Sequence, residues 1–269
     1  MEALLAVLLA SLIASCGVTG PAERAAEQQI RQRLGKVERV NVDIARGHRS
    51  PFSRTVQEIK VEVKGFNLKG GASEAPHISG GARLNGKIAK IVIQAEDFEV
   101  EGLHVERLDA TIRSIRYDLL KAAVKRRMRL TGMGESTVAV RFAGPDLERF
   151  VAPRVTALED FHLRLLHGRL EVKGKAKAVV AVPVTILAGL EAKNHDEIHL
   201  SDPQIRVTGV PLPGFLVKRI MGEVNPIADL SGGEDPAFTL EIDRLRIAPS
   251  GLLAEARIRP APKAPKPPQ

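Results

Sequence analysis

Two histidines four residues apart, with carboxylates between them, make His195-Asp196-Glu197-Ile198-His199 the best metal candidate in this sequence. On a helix that spacing turns both imidazoles to one side, which is how His-Glu-x-x-His motifs hold zinc. The surrounding pattern is that of a polar turn entering a strand. There positions i and i+4 share a face but stand about 13 Å apart, too far to share an ion. The segment therefore reads as a solvated turn, and neither a metal nor a cofactor is expected. His48, His77, His104, His162 and His167 form no recognised spacing.

Other chemistry is equally sparse. The sequence has no Gly-x-Ser-x-Gly elbow, no Gly-x-x-x-x-Gly-Lys-Ser/Thr loop and no Gly-x-Gly-x-x-Gly before a helix. It thus lacks the nucleophile, phosphate and dinucleotide arrangements those motifs supply. Glu96, Asp97, Glu99 and Glu101 alternate with Phe98 and Val100, as on the solvated side of a strand. No catalytic residue is assigned, and the chain is not expected to be an enzyme. A hydrolase would need a convergent polar cluster with perturbed pKa values, which the spacing does not offer.

Cys16 is the single cysteine, and it closes the run Leu12-Ile13-Ala14-Ser15-Cys16 at the end of an apolar stretch. A branched apolar residue at minus three, two small residues and then cysteine is the pattern of a bacterial lipobox. Cys16 is accordingly the expected lipid-attachment residue, carrying diacylglycerol at the start of a mature chain. The stretch Ala3 to Ile13 is uncharged and, at about a dozen residues, suits a signal h-region; a bilayer core needs roughly 20. The n-region is only Met1-Glu2, without Lys or Arg, so either the true start lies upstream or the signal is atypical. The expected division is a signal over 1–15, a lipidated linker over 16–20, one β-rich domain over 21–258 and a Pro/Lys-rich tail over 259–269. Such a chain is expected in the bacterial cell envelope, extracytoplasmic and lipid-anchored to a membrane.

The formal charge is +8, with Lys and Arg spread along the chain and not gathered in one block. Solvated charge and an anionic phospholipid surface both account for it. Nucleic acid fits poorly: there is no Trp, one Tyr, and no basic-aromatic alternation to stack bases.

The elements that position everything else are mostly strands. Pro21 to Leu34 reads as a helix, with Ala26, Ile30 and Leu34 on one stripe and Gly35 as a stop. Period-2 alternation follows at Val40 to Ile44, Val56 to Leu68, Lys87 to Val100, Val105 to Tyr117, Met128 to Phe142 and Leu158 to Val172. It resumes at Ala176 to Ala192, Glu197 to Val207, Phe238 to Ile247 and Leu252 to Ile258. Gly132 to Ser136 reads as a turn, Asp118 to Lys125 as a helical turn, and Gly144 to Val151 and Pro213 to Leu230 as short helices. Residues 46–54 and 70–81 read as loops. The fold class is mainly β with a few helices. Strands this long accumulate twist, so an elongated, strongly curled antiparallel sheet or barrel, built from serial hairpins with helices packed against it, is expected.

Four stretches carry a resemblance to a known family. They are Ala143-Gly144-Pro145-Asp146-Leu147-Glu148-Arg149-Phe150, then Leu163 to Gly174, then Val207-Thr208-Gly209-Val210-Pro211-Leu212-Pro213, then Val224 to Leu230. Together they resemble the LmeA-type phospholipid-binding family of bacterial cell-envelope proteins. The segment Ala25 to Tyr117, with Gly102-Leu103-His104-Val105-Glu106-Arg107-Leu108, is similar to that family's N-terminal half. The resemblance implies a curled sheet or barrel similar to tubular lipid-binding proteins, and a role in binding or moving phospholipid.

Independent physics agrees. An acyl chain of about 15 methylenes costs on the order of 12 kcal/mol to expose to water, at ~0.8 kcal/mol per methylene. A carrier must therefore offer a long apolar groove. Candidate lining residues are Ile59, Val61, Ile91, Ile93, Leu163, Leu165, Leu170 and Val172, with Phe66, Phe98 and Phe215 as bulkier stops; the same residues would equally suit an ordinary core. Pro211, Leu212, Pro213, Phe215 and Leu216 beside Lys218 and Arg219 suit either a membrane-facing lip or a buried cap. Three functions follow: an anchored lipoprotein that binds or shuttles phospholipid, a structural or assembly lipoprotein with no ligand, and an envelope hydrolase. The first is preferred.

Overall fold

The computed structural model describes residues 22–46, 55–68, 85–118, 130–176, 181–194, 197–207, 225–229 and 238–260, with single positions at 8, 215, 218 and 222. Cys16 and its apolar prelude (Leu8 apart), the two loops at 47–54 and 69–84, the helical turn after Asp118, His195, Asp196 and the proline-rich tail from 261 lie outside the described residues. So does most of the predicted helix from Pro213.

The chain opens with α1 (Ala22–Leu34). Ala26, Ile30 and Leu34 are buried, as the i, i+4, i+8 spacing requires. Strands β1 (Val37–Arg46), β2 (Thr55–Leu68), β3 (Asn85–Val100) and β4 (Leu103–Asp118) follow, then β5 (Leu130–Gly132) and β6 (Ser136–Phe142). Helix α2 (Gly144–Val151) and a 3-10 turn (Ala152–Arg154) lead into β7 (Leu158–Leu165), β8 (Leu170–Ala176), β9 (Val182–Lys193) and β10 (Glu197–Val207). A short β11 (Ala228–Asp229), then β12 (Phe238–Ala248) and β13 (Gly251–Pro260), complete the described elements.

These strands form two sheets. The larger runs β1-β2-β3-β4-β6-β13-β12, with β5 added beside β4, and the smaller runs β11-β10-β9-β8-β7. The mainly β reading holds, but neither sheet is closed or strongly curled, so the expected barrel form is not what the described residues build. Two pairings also depart from serial hairpins: β2 and β3 run parallel, Ile59 beside Ile91 and Val61 beside Ile93, and β6 pairs with β13, which follows only after the smaller sheet. Every pair except β2–β3 is antiparallel. The segment read as one strand over Leu158 to Val172 is instead a hairpin. Its turn places Gly168 at φ 72°, a left-handed conformation that suits glycine. The β3–β4 hairpin turns on Glu101-Gly102, both at positive φ, as a two-residue turn matched to strand twist demands.

Register makes the larger sheet one-sided. The row Val42, Val61, Ile93, Ala110, Val138, Ala256, Ile242 crosses all seven main strands, and every member is buried. One row over, Ser136 is the only buried polar side chain among the described residues. Its hydroxyl donates to the Gly134 carbonyl at 2.9 Å and accepts from the Arg113 N–H at 3.2 Å, so its burial leaves nothing unpaired.

The edge strand β1 is shielded by α1. Glu27 accepts from the Val42 N–H at 3.3 Å and Glu23 from the Ile44 N–H at 3.4 Å. Two edge donors that would otherwise recruit another strand are thereby occupied. Replacing Glu23 and Glu27 with alanine is expected to cost about 1–3 kcal/mol, at roughly 0.5–1.5 kcal/mol per hydrogen bond, and to raise self-association. Urea unfolding and light scattering check both; unchanged values would mean the carboxylates do not guard the edge.

Candidate functional site

The two sheets meet through α2 and through the β9–β12 contact. Helix α2 carries Pro145 in its first turn and turns Leu147 and Val151 inward. It packs on β4 of the larger sheet and β7 of the smaller. The β7–β8 turn also reaches across, with the Gly168 N–H donating to the Ile247 carbonyl of β12 at 3.0 Å. The apolar faces of both sheets consequently belong to one buried cluster.

All ten residues named from sequence as groove lining lie in that cluster. Ile59, Val61, Ile91 and Ile93 have no exposed surface and stand as neighbouring pairs on β2 and β3. Phe66 and Phe98, also adjacent, stack with ring centroids 4.8 Å apart and planes within 3°. On the smaller sheet Leu163 faces Val172 and Leu165 faces Leu170, and the apolar row continues from Val172 to Ile186. The lining is therefore split between two sheets, six residues on one and four on the other, instead of following one curled surface.

The lip residues are only partly described. Phe215 is 70% exposed, the one large hydrophobic so exposed among the described residues. It is thus not a stop inside the interior. Lys218 and Gly222 share its helical backbone and its exposure, and the spacing i, i+3, i+7 puts the three on one helix face. Pro211, Leu212, Pro213, Leu216 and Arg219 lie outside the described residues, as does Cys16.

Among the described residues the best metal candidate of the sequence does not assemble a site. His199 Nε2 lies 2.6 Å from a Glu197 carboxylate oxygen on strand β10, so this half of the histidine pair makes a local hydrogen bond on a strand. Among the described residues no group of three or more His, Cys, Asp and Glu could hold a metal ion. No described helix is long and apolar enough to cross a membrane.

One polar cluster that local spacing could not reveal sits at the sheet junction. His104, at the start of β4, bonds Asp146 of α2 through Nδ1 at 2.7 Å and Asp97 through Nε2 at 2.9 Å. Asp146 is itself held by Arg149 at 3.1 Å. On the other side of α2, His162 of β7 bonds Glu148 at 3.0 Å. The helix is tied to each sheet by an imidazole–carboxylate pair.

The described residues thus form a mainly β protein whose two sheets share one buried apolar cluster. The chain belongs to the LmeA-like phospholipid-binding family, whose model matches residues 77–257. Neither the curated proteins nor the solved structures compared with it gave a match.

Partial burial of His104 opposes its charged form, but the hydrogen bonds and charges of Asp146 and Asp97 outweigh that, and its pKa is raised above the usual imidazole value. Folding then favours the protonated ring. The resulting stabilisation is complete below the unfolded imidazole's pKa and fades as pH rises through the folded one. With 35% of the ring exposed, solvent screening holds the effect to about 1 kcal/mol or less. Urea midpoints are expected to fall between about pH 6 and about pH 9, and to fall less in His104→Asn. An equal fall in both proteins would place the pH dependence elsewhere.

Proposed function

We propose that this chain is an extracytoplasmic, membrane-anchored lipoprotein of the bacterial cell envelope that binds phospholipid acyl chains between its two sheets and shuttles them over short distances. The observation that carries the reading is the apolar inner face of both sheets, joined in one cluster. Burial of two chains of about 15 methylenes needs area of this kind and no reactive group. Family membership supports phospholipid as the ligand class.

Leu8 adds support. It belongs to the apolar stretch that the lipobox pattern marks for removal, yet it is fully buried within the cluster. Cleavage before Cys16 would withdraw it and leave apolar walls without a partner. An apolar space stays dry, and an acyl chain is the natural replacement. In this reading residues 1–15 are the signal, Cys16 the anchor and 21–258 the lipid-binding unit. Ile59, Val61, Phe66, Ile91, Ile93, Phe98, Leu163, Leu165, Leu170 and Val172 line the acyl path. Phe215 and Lys218 belong to the lip, where an exposed ring beside a cation suits the headgroup boundary of a bilayer.

Organic extraction of the purified chain followed by mass spectrometry should recover stoichiometric phospholipid. Chain that carries none and takes none up when offered would sink the proposal. Ile93→Asp should abolish recovery, and Phe215→Asp, on an exposed side chain, should keep the fold and the bound lipid while slowing transfer between vesicles severalfold. A Phe215→Asp protein that transfers at the original rate removes the lip assignment.

The anchor has its own test. Expressed in a bacterium that processes lipoproteins, Cys16→Ala should move the chain from the membrane pellet to the soluble fraction, and the original chain should gain the mass of a diacylglycerol. A variant that stays wholly membrane-bound rules out Cys16 as the tether.

A further inference from the structure

The larger sheet has a second, polar side. Where Val63 faces the interior, its neighbours Glu62 and Lys64 face solvent, as strand geometry dictates. On that outer side a depression of about 260 Å³ is lined by Arg39, Glu62, Lys64, Gln94, Glu96 and Arg107. Four strands contribute to it.

Its charges are arranged in an unusual way. Arg39 of β1 and Lys64 of β2 stand directly opposite each other, a placement that repulsion makes unfavourable. Among the described residues neither has an ion-pair or hydrogen-bond partner, although Lys64 sits beside Glu96 in the ladder. The next cation along the same row, Arg107, is immobilised. Its Nε and Nη2 donate to Asp109 at 2.7 and 2.9 Å, and its Nη1 to Glu96 at 3.2 Å. A guanidinium has five N–H donors, so some remain for a ligand. Arg141 lies opposite Arg107 in the ladder.

The two carboxylates of the depression are already engaged. Glu62 accepts from the Asn41 amide at 3.4 Å, and Glu96 from Arg107. A neutral amide does not cancel the Glu62 charge; Arg39 and Lys64 are the two cations of the depression without an ion-pair partner among the described residues. By contrast, Lys90 and Arg113, another pair of like charges in the ladder, are relieved by Glu58, 3.0 Å from Lys90.

We propose that the outer-face depression at Arg39, Lys64 and Arg107 is a binding site for a phosphate-bearing anion. A phosphate group placed between Arg39 and Lys64 removes their repulsion, and a planar guanidinium meets its oxygens with paired hydrogen bonds. This site is separate from the apolar interior, because a lipid held between the sheets cannot pass its headgroup through the hydrogen-bonded ladder. The phosphate comes either from a headgroup of a bilayer that the sheet lies against or from a soluble phosphorylated molecule.

The test uses the full chain and its Arg39→Gln/Lys64→Gln variant. Both side chains are exposed, and circular dichroism verifies the fold. Inorganic phosphate is titrated while backbone amides of β1 to β4 are followed by NMR, and vesicles of phosphatidylglycerol are compared with phosphatidylcholine by co-sedimentation at fixed salt. Saturable shifts around Arg39, Lys64 and Arg107, weakened at least about fivefold in the double variant while Lys60→Gln leaves them unchanged, assign the site to soluble phosphate compounds. A preference for phosphatidylglycerol that the double variant loses assigns it to headgroups. If neither response depends on Arg39 and Lys64, the proposal is overturned. Lipid recovered by extraction is expected to be the same in the double variant, so failure here and failure of the interior reading are told apart.

Discussion

The larger sheet buries one side and exposes the other, and register decides which residues form the dry one. A shift of β2 by one position would turn Lys60, Glu62 and Lys64 to the side now held by Ile59, Val61 and Val63. Each such exchange buries a charge and exposes an aliphatic side chain, a cost of several kcal/mol per residue. The row from Val42 to Ile242 is thus a constraint shared by seven strands. Its outer counterpart follows automatically: once the aliphatic row is fixed, Arg39 must meet Lys64 and Arg107 must meet Arg141. The cationic depression outside and the apolar interior are two consequences of the same alignment.

Joining two such sheets raises a different problem, because their apolar faces have to be held together without a continuous hydrogen-bonded ladder. Helix α2 serves here. Leu147 and Val151 enter the shared cluster, while Asp146 and Glu148 are held by histidines of opposite sheets. These outer ties are partly exposed and each is worth little alone. They fix where the helix sits more than how strongly it is held. The bond from Gly168 to Ile247 gives a second point of contact, so the junction resists rotation as well as separation. An opening wide enough to pass an acyl chain therefore has to break packing at one of these contacts or use a segment elsewhere.

Much of this was legible in the chain itself. Alternation placed β2, β3 and β4 within two or three residues, and Ala26, Ile30 and Leu34 marked the buried stripe of α1. What alternation cannot encode is direction: Ile59, Val61 and Val63 have the same period whether β3 runs beside them parallel or antiparallel. The β2–β3 pairing was misread for that reason. The hairpin of β7 and β8 was read as one strand because Leu166 keeps the apolar pattern going into the turn, leaving Gly168 as its only signal. The ten interior residues were chosen for being aliphatic or aromatic on an alternating face, and they are buried for the same reason. His104 and Asp146 are 42 positions apart, and no local pattern connects them. Arg39 and Lys64 looked like dispersed charge because only the β1–β2 register makes them neighbours.

The diffuse motifs of this chain also have a physical origin. An interior that must only be apolar and of suitable volume accepts Val, Ile, Leu or Ala in many combinations, so binding by area places weak demands on any single position. Catalysis is the reverse case, since a nucleophile or a metal ligand allows few substitutes and leaves a fixed spacing. The legible features of an area-binding protein are those that control the path of the backbone, such as Glu101-Gly102 at the β3–β4 turn, Gly168 at the β7–β8 turn and Pro145 at the head of α2. All three lie in segments that carry the family resemblance: Pro145 in Ala143 to Phe150, Gly168 in Leu163 to Gly174, and Gly102 at the head of Gly102 to Leu108.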